Sequence, residues 1–157
     1  MKTQIHTYSH QQKSLNSVDF PSKTVLIGGC FDMFHHGHEA FIKAAANTGE
    51  FLVLILESDK DIQKRKGPTR PVQTQELRAQ KIAALGIVDV VICLPPFMTD
   101  KDYENIVSLV KPAIIATTKG DPYRTYKELH AQKFHADVID VIERLPEFST
   151  TDTIKNI

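Results

Sequence analysis

The stretch with the clearest chemical potential is a histidine-rich segment that follows two glycines. Gly28 and Gly29 end an apolar run, and His35, Gly37 and His38 precede a helix-like segment. Glycines at a strand end let backbone N–H groups approach a ligand closely, and the N-terminus of a following helix attracts anions. Histidines three residues apart can face one side of the first helical turn. The spacing therefore predicts a phosphate site in which two imidazoles stabilise charge on a transferring phosphorus.

Other kinds of site fit this segment less well. A zinc site built from its three histidines would lack the H-E-x-x-H spacing, because Ile42 stands where the second histidine should be. Cys30 and Cys93 are far apart and form no C-x-x-C pair. The G-x-G-x-x-G pattern of dinucleotide-binding folds is absent. We therefore expect no metal site of the protein's own; a histidine-rich turn without a ligand is the remaining alternative.

Residues 29–38 read G-x-F-D-x-x-H-x-G-H. This pattern resembles the signature of the cytidylyltransferase-like nucleotidyltransferases, and the resemblance extends over about residues 24–157. The superfamily includes glycerol-phosphate and choline-phosphate cytidylyltransferases and the adenylyltransferase of ADP-heptose synthesis. The resemblance implies catalytic roles for His35 and His38 and a substrate contact from Asp32. It also implies nucleotide contacts from the surrounding residues Gly28, Gly29, Cys30, Phe31 and Gly37.

A basic segment, 57–71, follows the second apolar run and contains Lys66 next to Gly67. Taken alone, such a basic loop is usually a solvated face. Because it leaves the strand beside the histidine-bearing one, it can also fold over a triphosphate, where Lys66 would act as a point charge. Relatives carry a Lys-Gly pair here whose lysine contacts the phosphates. By this resemblance Lys66 is the predicted catalytic lysine, with Lys64 as the alternative if the register differs.

Two further motifs resemble substrate-binding elements of the superfamily. Arg78 matches the arginine of an E-x-R pair, and its guanidinium either binds a phosphate or pairs with a neighbouring carboxylate. Lys119 and Asp121 follow the fourth apolar run and resemble an acidic element that borders the acceptor, although Pro122 replaces its second acid. Tyr123 either lines the acceptor pocket or simply begins the next helix.

The C-terminal segment carries the last motif. Relatives show R-x-x-x-[IVF]-S-T-T, in which the Ser-Thr-Thr group begins a helix and contacts the nucleotide phosphates. Hydroxyls and free N–H groups at a helix start suit an anion, and an arginine adds a bidentate cation. Alone, the motif would be only a helix cap. The resemblance implies nucleotide binding by Arg144, Ser149, Thr150 and Thr151.

Composition limits the partners and the compartment. The 157 residues contain 19 Lys and Arg and 19 Asp and Glu, which gives a formal net charge of zero and argues against a nucleic-acid partner. Two isolated cysteines fit a reducing compartment. No apolar stretch reaches the length of a membrane span, and the first 19 residues lack the apolar core of a secretory signal. We expect a cytoplasmic protein that binds neither nucleic acid nor membranes.

Apolar runs alternate with helical patterns along the chain. The expected strands lie near residues 23–27, 51–56, 88–94, 112–116 and 137–142, and the expected helices near 73–85, 99–110 and 124–134. This alternation predicts an α/β fold, a Rossmann-like doubly wound parallel sheet of about five strands with helices on both faces. Residues 1–22 are expected to form a polar N-terminal arm and residues 23–157 the nucleotidyltransferase domain.

The resemblance implies nucleotidyl transfer. A small phosphorylated acceptor, a sugar or alcohol phosphate, would attack the α-phosphorus of a nucleoside triphosphate and release pyrophosphate, through positioning and charge neutralisation. Mg²⁺ would arrive on the triphosphate with few protein ligands. Residues 66–72 resemble the ADP-heptose-type adenylyltransferases, whereas 149–152 are shared with lipid-precursor cytidylyltransferases. The sequence thus leans to ATP and leaves CTP open, as in a glycerol-phosphate cytidylyltransferase.

An alternative of another class is a catalytically silent nucleotide-binding regulatory module. It is motivated by Glu57 and Pro122, which depart from common residues of the superfamily. The retained histidines and lysine argue against it. The identity of the acceptor and the oligomeric state, including a homodimer, stay open at this point.

Overall fold

The computed structural model of the protein describes residues 2–9 and 15–143. In these ranges the strands are β1 (Gln4–Thr7), β2 (Thr24–Gly29), β3 (Phe51–Leu56), β4 (Val90–Cys93), β5 (Ile114–Lys119) and β6 (Asp137–Glu143). The helices are α1 (His36–Ala46), α2 (Asp59–Lys66), α3 (Gln75–Ala84), α4 (Asp100–Val110) and α5 (Arg124–Phe134). None of these helices combines the length and the apolar character needed to cross a membrane.

The strands form one parallel sheet in the order β1-β4-β3-β2-β5-β6. From β2 the chain adds β3 and β4 on one side and then returns to add β5 and β6 on the other. The winding direction therefore reverses between β2 and β5. In open α/β sheets, ligands bind outside the carboxyl ends of the strands at such a reversal. The predicted Rossmann-like architecture is confirmed, with six strands rather than about five.

Side chains alternate between the two faces of the sheet, as the pleat of a strand requires. Val25 and Ile27 of β2 pack in one buried cluster with Ile42 of α1. Leu26, between them in sequence, packs in a second cluster with Ile106 of α4. The first cluster also includes α3 residues and the second an α5 residue. Helices thus cover both faces, and the strand ends are held between two apolar layers.

The N-terminal segment differs from the expected polar arm. Residues 4–7 pair with β4 as an edge strand, and Tyr8 and Leu15 are buried in the cluster beneath α4. Most side chains of β1 stay exposed, so its four residues lack a hydrophobic pattern that sequence analysis can detect. Backbone pairing, rather than side-chain alternation, fixes this strand.

Candidate active site

The two glycines at the end of β2 leave little room for a side chain. A Cβ atom on Gly28 would lie 2.7 Å from Cγ1 of Ile55 on the neighbouring strand. A Cβ atom on Gly29 would lie 3.0 Å from Cε2 of Phe31. The other expected role of these glycines, close approach of a ligand to the backbone, stays a prediction.

The chain leaves β2 through a strained turn around Asp32. Phe31 and Met33 adopt left-handed φ values of 48° and 50°, which costs a non-glycine residue roughly 1–2 kcal/mol. The Asp32 carboxylate is fully buried. It accepts hydrogen bonds from Arg70 Nε at 3.0 Å, Val72 N at 2.8 Å and Gln73 N at 3.0 Å. These contacts hold the turn in a conformation that it would not adopt alone.

Asp32 thus differs from the substrate contact expected from the resemblance. Its carboxylate faces Arg70 and the segment that enters α3, and no surface of it is open to a ligand. Burial opposes ionisation, but the hydrogen bonds from Val72, Gln73 and Arg70 outweigh burial and lower the pKa of Asp32. In this structure Asp32 joins the histidine-bearing turn to the segment after Lys66.

His35 and His38 stand together at the start of α1, as predicted. His35 is the N-cap residue, and its Nδ1 accepts from Gly37 N at 3.1 Å, while Nδ1 of His38 accepts from His35 N at 3.3 Å. A nitrogen that accepts carries no proton, so in each neutral ring the proton resides on Nε2. The rings stack with centroids 3.8 Å apart at 18°. The arrangement supplies two Nε2–H donors at a helix N-terminus.

The surroundings keep both rings neutral. Burial, followed by the nearby His35 and Lys66, lowers the pKa of His38 to about 3. Burial also lowers the pKa of His35, and His36 adds to the effect. Phe31 packs edge-on against His38 with centroids 5.3 Å apart, and Phe34 lies 5.4 Å away. Phe31, expected to contact the nucleotide, is 5 % exposed here and serves as a wall for the His38 ring.

Lys66 reaches the same place from α2. Its Nζ lies 3.4 Å from Sγ of Cys30, and its charge is close enough to affect His38. Lys64 is exposed, whereas Lys66 is half-buried. The structure therefore brings Lys66, rather than Lys64, to the histidines and to the end of β2.

The basic segment forms a helix rather than the expected loop. Ser58 is its N-cap and accepts from Asp61 N at 3.1 Å, and Gly67 follows its last turn with a φ of 105°. Acidic residues occupy the first turn and basic residues the last, which suits the helix dipole. With Ile62 as its one buried residue, α2 shows almost no apolar periodicity. The caps were the sequence signal that could have revealed it.

Arg78 follows the second of its two predicted alternatives, pairing with a carboxylate. Its buried guanidinium donates to Asp59 Oδ1 at 2.6 Å, Cys30 O at 2.8 Å and Glu57 O at 3.0 Å. Its Nε donates to Gln73 O at 3.1 Å. Arg78 therefore ties the ends of β2 and β3 to the start of α2, and in this structure it has no side-chain surface for a substrate.

Lys119 and Asp121 lie at the carboxyl end of β5, across the reversal point from the histidines. Lys119 is exposed. Asp121 accepts from Thr117 Oγ1 at 2.6 Å, from Tyr123 N at 2.9 Å and from Lys127 Nζ. Burial raises the pKa of Asp121, and these hydrogen bonds more than offset that effect and lower it. Asp121 thus shapes the β5–α5 connection, and its contact with an acceptor stays a prediction.

The remaining predicted nucleotide contacts, Arg144, Ser149, Thr150 and Thr151, lie outside the described residues. Two residues that the sequence analysis did not assign stand at the site: Arg70, the partner of Asp32, and Arg65, which pairs with Glu57. The signal for Arg65 was an acid just before α2 and a base in its last turn. For Arg70 the sequence held no local signal, since its partner lies 38 residues away.

The described part of the chain offers no built cation site. Within residues 2–9 and 15–143, no three potential metal ligands of the His, Cys, Asp or Glu type come together. Asp32, Asp59 and Asp121 each pair with a cationic side chain of the protein. This donor set suits a metal that arrives bound to phosphate oxygens, rather than one held in a protein cage.

Comparison with known proteins gives a family and a fold. The model of the cytidylyltransferase-like family matches residues 26–156. The bifunctional protein HldE of Gluconobacter oxydans (strain 621H) is 35% identical over 138 residues, which cover 87% of this chain and 28% of that protein. HldE of Campylobacter fetus subsp. fetus (strain 82-40) is 37% identical over 142 residues, with coverages of 89% and 29%. The chain thus spans less than a third of these curated relatives.

Two solved structures share the fold. The lipopolysaccharide core biosynthesis protein from Thermoplasma volcanium GSS1 aligns with a TM-score of 0.64 at 23% identity, over 79% of this chain and 98% of that one. Pantoate-beta-alanine ligase from Francisella tularensis aligns with a TM-score of 0.64 at 15% identity, over 99% and 73%. At these identities the likeness concerns the fold alone.

Proposed function

The chain belongs to the cytidylyltransferase-like nucleotidyltransferase superfamily, and from this premise we propose that it transfers an adenylyl group from ATP to a small sugar phosphate and releases pyrophosphate. The observation that carries the proposal is the convergence of two neutral imidazoles and Lys66 at the N-terminus of α1. This arrangement offers hydrogen-bond donors, a helix dipole and one cation to a phosphate chain.

The reaction needs no nucleophile from the protein. An oxygen of the acceptor phosphate attacks the α-phosphorus, a new P–O–P linkage forms, and the bond to the departing pyrophosphate breaks. Nε2–H groups of His35 and His38 donate to the phosphate oxygens on which negative charge accumulates, and Lys66 neutralises part of that charge. Because rigid elements hold these groups, most of the catalysis comes from positioning and preorganised electrostatics.

We propose Mg²⁺ as the accompanying ion. It would neutralise charge on the triphosphate oxygens, and the paired carboxylates of the described residues fit an ion that the nucleotide itself carries. The protein itself binds and orients the triphosphate through the histidines and Lys66.

Two observations support ATP as the donor. The segment 66–72 resembles the ADP-heptose-type adenylyltransferases, and the bifunctional HldE proteins match most of the chain. A cytidylyl transfer remains the second candidate because residues 149–152 are shared with lipid-precursor cytidylyltransferases. Since a base pocket built for one hydrogen-bond pattern leaves polar groups unpaired with the other, one triphosphate should dominate by several powers of ten.

Pyrophosphate release tests this proposal. The protein is incubated with Mg²⁺, with ATP or CTP, and with heptose phosphate, glycerol phosphate, choline phosphate, ethanolamine phosphate or flavin mononucleotide. We expect ATP with the sugar phosphate to give the highest kcat/KM. CTP with an alcohol phosphate as the best pair would replace the adenylyl assignment and keep the mechanism. Tight triphosphate binding without pyrophosphate from any acceptor would indicate the silent regulatory module.

A further inference from the structure

An accessible ion pair lies beside the phosphate site, and the proposed mechanism leaves it unused. Glu57 follows β3, and its backbone N–H donates to Gly29 O at 3.1 Å, which sets it next to the glycine end of β2. Its carboxylate accepts from Arg65 Nη2, with the contact to Oε2 at 2.9 Å. The side chains of Arg65 and Glu57 are 37% and 16% exposed. Both therefore retain surface that a ligand can reach.

The position of Glu57 is unusual for a phosphate site. A carboxylate near a triphosphate repels it, and the repulsion is strong wherever water is excluded. Arg65 offsets this charge from the residue next to Lys66. An ionised carboxylate can only accept hydrogen bonds. Its matching ligand group is therefore a hydroxyl or an N–H, and not another phosphate.

Two tyrosines lie near this ion pair. Tyr103 of α4 and Tyr123 before α5 both lie within electrostatic reach of Arg65. Burial, reinforced by Glu57 and Asp61, raises the pKa of Tyr103 to about 12, so its phenol stays neutral. Tyr123 is 49% exposed. The observation that points to a ligand is the partly exposed carboxylate and guanidinium pair, whose donors and acceptors match a polyhydroxylated molecule.

The surface is held in place by backbone contacts. Asp61 of α2 accepts from Phe97 N at 2.8 Å and from Met98 N at 3.2 Å. These bonds fasten the β4–α4 connection to α2, the helix that carries Arg65. Because the supporting segments are fixed, the Glu57 carboxylate can present a defined acceptor pattern rather than a mobile charge.

We propose that Glu57 and Arg65 form a hydroxyl-recognition element that selects a polyhydroxylated sugar phosphate as the acceptor. Glu57 accepts hydrogen bonds from sugar hydroxyls, and Arg65 holds the carboxylate in place while donating to a further sugar oxygen. The proposal rests on the proposed function, because it places the acceptor beside the α-phosphate at this edge of the sheet. It separates sugar phosphates from phosphate esters that lack hydroxyls.

Calorimetric binding measures this selection without turnover. The protein is saturated with a non-hydrolysable ATP analogue and titrated with a hexose 1-phosphate and with ethyl phosphate. We expect the sugar phosphate to bind about ten- to a hundredfold more tightly, as hydrogen bonds to a charged group allow. In Glu57→Gln and Arg65→Met this preference should fall close to one, whereas the affinity for ethyl phosphate should stay within about twofold.

Glu50→Gln is the matched control. Glu50 directly precedes β3, and its carboxylate lies 3.5 Å from Lys23 Nζ at the amino ends of the strands, opposite the proposed site. This variant should keep the full preference. Thermal unfolding of all three variants checks that they are folded.

Three outcomes would overturn the inference: no sugar preference in the unmodified protein, equal loss of affinity for both esters in Glu57→Gln, or weakened binding of the ATP analogue alone. The second would assign the pair to the packing of α2, and the third to the nucleotide. Failure of the proposed function would give a different set of results. In that case ATP releases no pyrophosphate with any sugar phosphate, while the sugar preference and its loss in Glu57→Gln persist and support the inference.

Discussion

His38 lies where its protonated form is disfavoured from several sides. Its ring is enclosed by Phe31, Phe34 and the stacked ring of His35, and Lys66 stands nearby. A neutral ring with a fixed Nε2–H is a donor at any pH near neutrality. A bound triphosphate would reverse the local field, because its negative charge favours the imidazolium form.

The titration of His38 provides the first prediction. NMR of the ring protons should show no protonation of His38 until the pH approaches about 3, and its pKa should rise when a triphosphate binds. Because the unfolded chain takes up this proton near pH 6.5 and the native state does not, the free energy of unfolding should fall as the pH falls from about 6.5 towards 3. An unliganded His38 that titrates near pH 6.5 would contradict this environment.

Two histidine substitutions test whether His38 takes part in the reaction. His38→Ala should lower turnover by about two to three orders of magnitude, as expected for the loss of one charge-stabilising donor. His36→Ala is the control, since His36 is exposed at the first residue of the same helix. It should change turnover by less than about threefold. Near-normal turnover in His38→Ala would remove this histidine from the phosphate site.

Among the secondary-structure elements, helix α2 determines which lysine lies at the phosphate site. Lys66→Ala should reduce turnover sharply, because Nζ of Lys66 lies at the end of β2 beside Cys30. Lys64→Ala removes the same charge two residues earlier from an exposed position and should have a mild effect. Steady-state kinetics of both variants with ATP make the comparison. A larger loss of turnover in Lys64→Ala than in Lys66→Ala would assign the phosphate contact to Lys64.

The turn between β2 and α1 depends on the buried pair of Asp32 and Arg70. Asp32→Ala should lower the free energy of unfolding by about 3–5 kcal/mol, since it leaves a buried guanidinium without a counter-charge. Glu50→Ala is the control, because Glu50 and its partner Lys23 are both largely exposed and the loss of this pair should cost less. Denaturant unfolding gives both values. Equal losses would show that burial of the Asp32 pair carries no special weight.

Most elements could be predicted from the sequence because their patterns are strong. The run 51–56 became β3 and the segment 124–134 became α5 with unchanged bounds, and the helix expected near residues 99–110 is α4, which begins with a Thr99–Asp102 capping box. Two elements escaped detection. Helix α2 buries almost nothing and depends on its caps, and β1 is a short edge strand recognised by pairing with β4.

The same distinction holds for the site. The local motif predicted that His35 and His38 lie together, and the family resemblance singled out Lys66. The structure brings the three residues together, and their catalytic roles stay predictions. The structural role of Asp32 could not be predicted, because its partners lie 38 to 41 residues away. For Arg78 the sequence offered two alternatives and could not decide between them, because its partners Cys30 and Asp59 lie 48 and 19 residues away. In the sequence, a carboxylate or guanidinium residue of a ligand-binding motif looks the same whether its side chain contacts a substrate or a buried backbone group.

At the scale of the whole molecule, the sheet order brings these groups to one place. The winding reverses between β2 and β5, and the histidines after β2, α2 after β3 and the Asp121 connection after β5 all follow the carboxyl ends of neighbouring parallel strands. Neither half of the sheet alone contains all of these elements. The proposed site therefore depends on the strand order of the sheet as well as on the identity of single residues.

Transfer of the adenylyl group to a phosphate acceptor can be followed by ³¹P NMR of the reaction mixture. With ATP, Mg²⁺ and a sugar phosphate, the spectrum should show equal amounts of pyrophosphate and of a new diphosphate ester that joins the α-phosphorus to the acceptor phosphorus. Without the acceptor, ATP should remain intact. Formation of ADP and inorganic phosphate, or an unchanged spectrum with every sugar and alcohol phosphate and either triphosphate, would contradict the account.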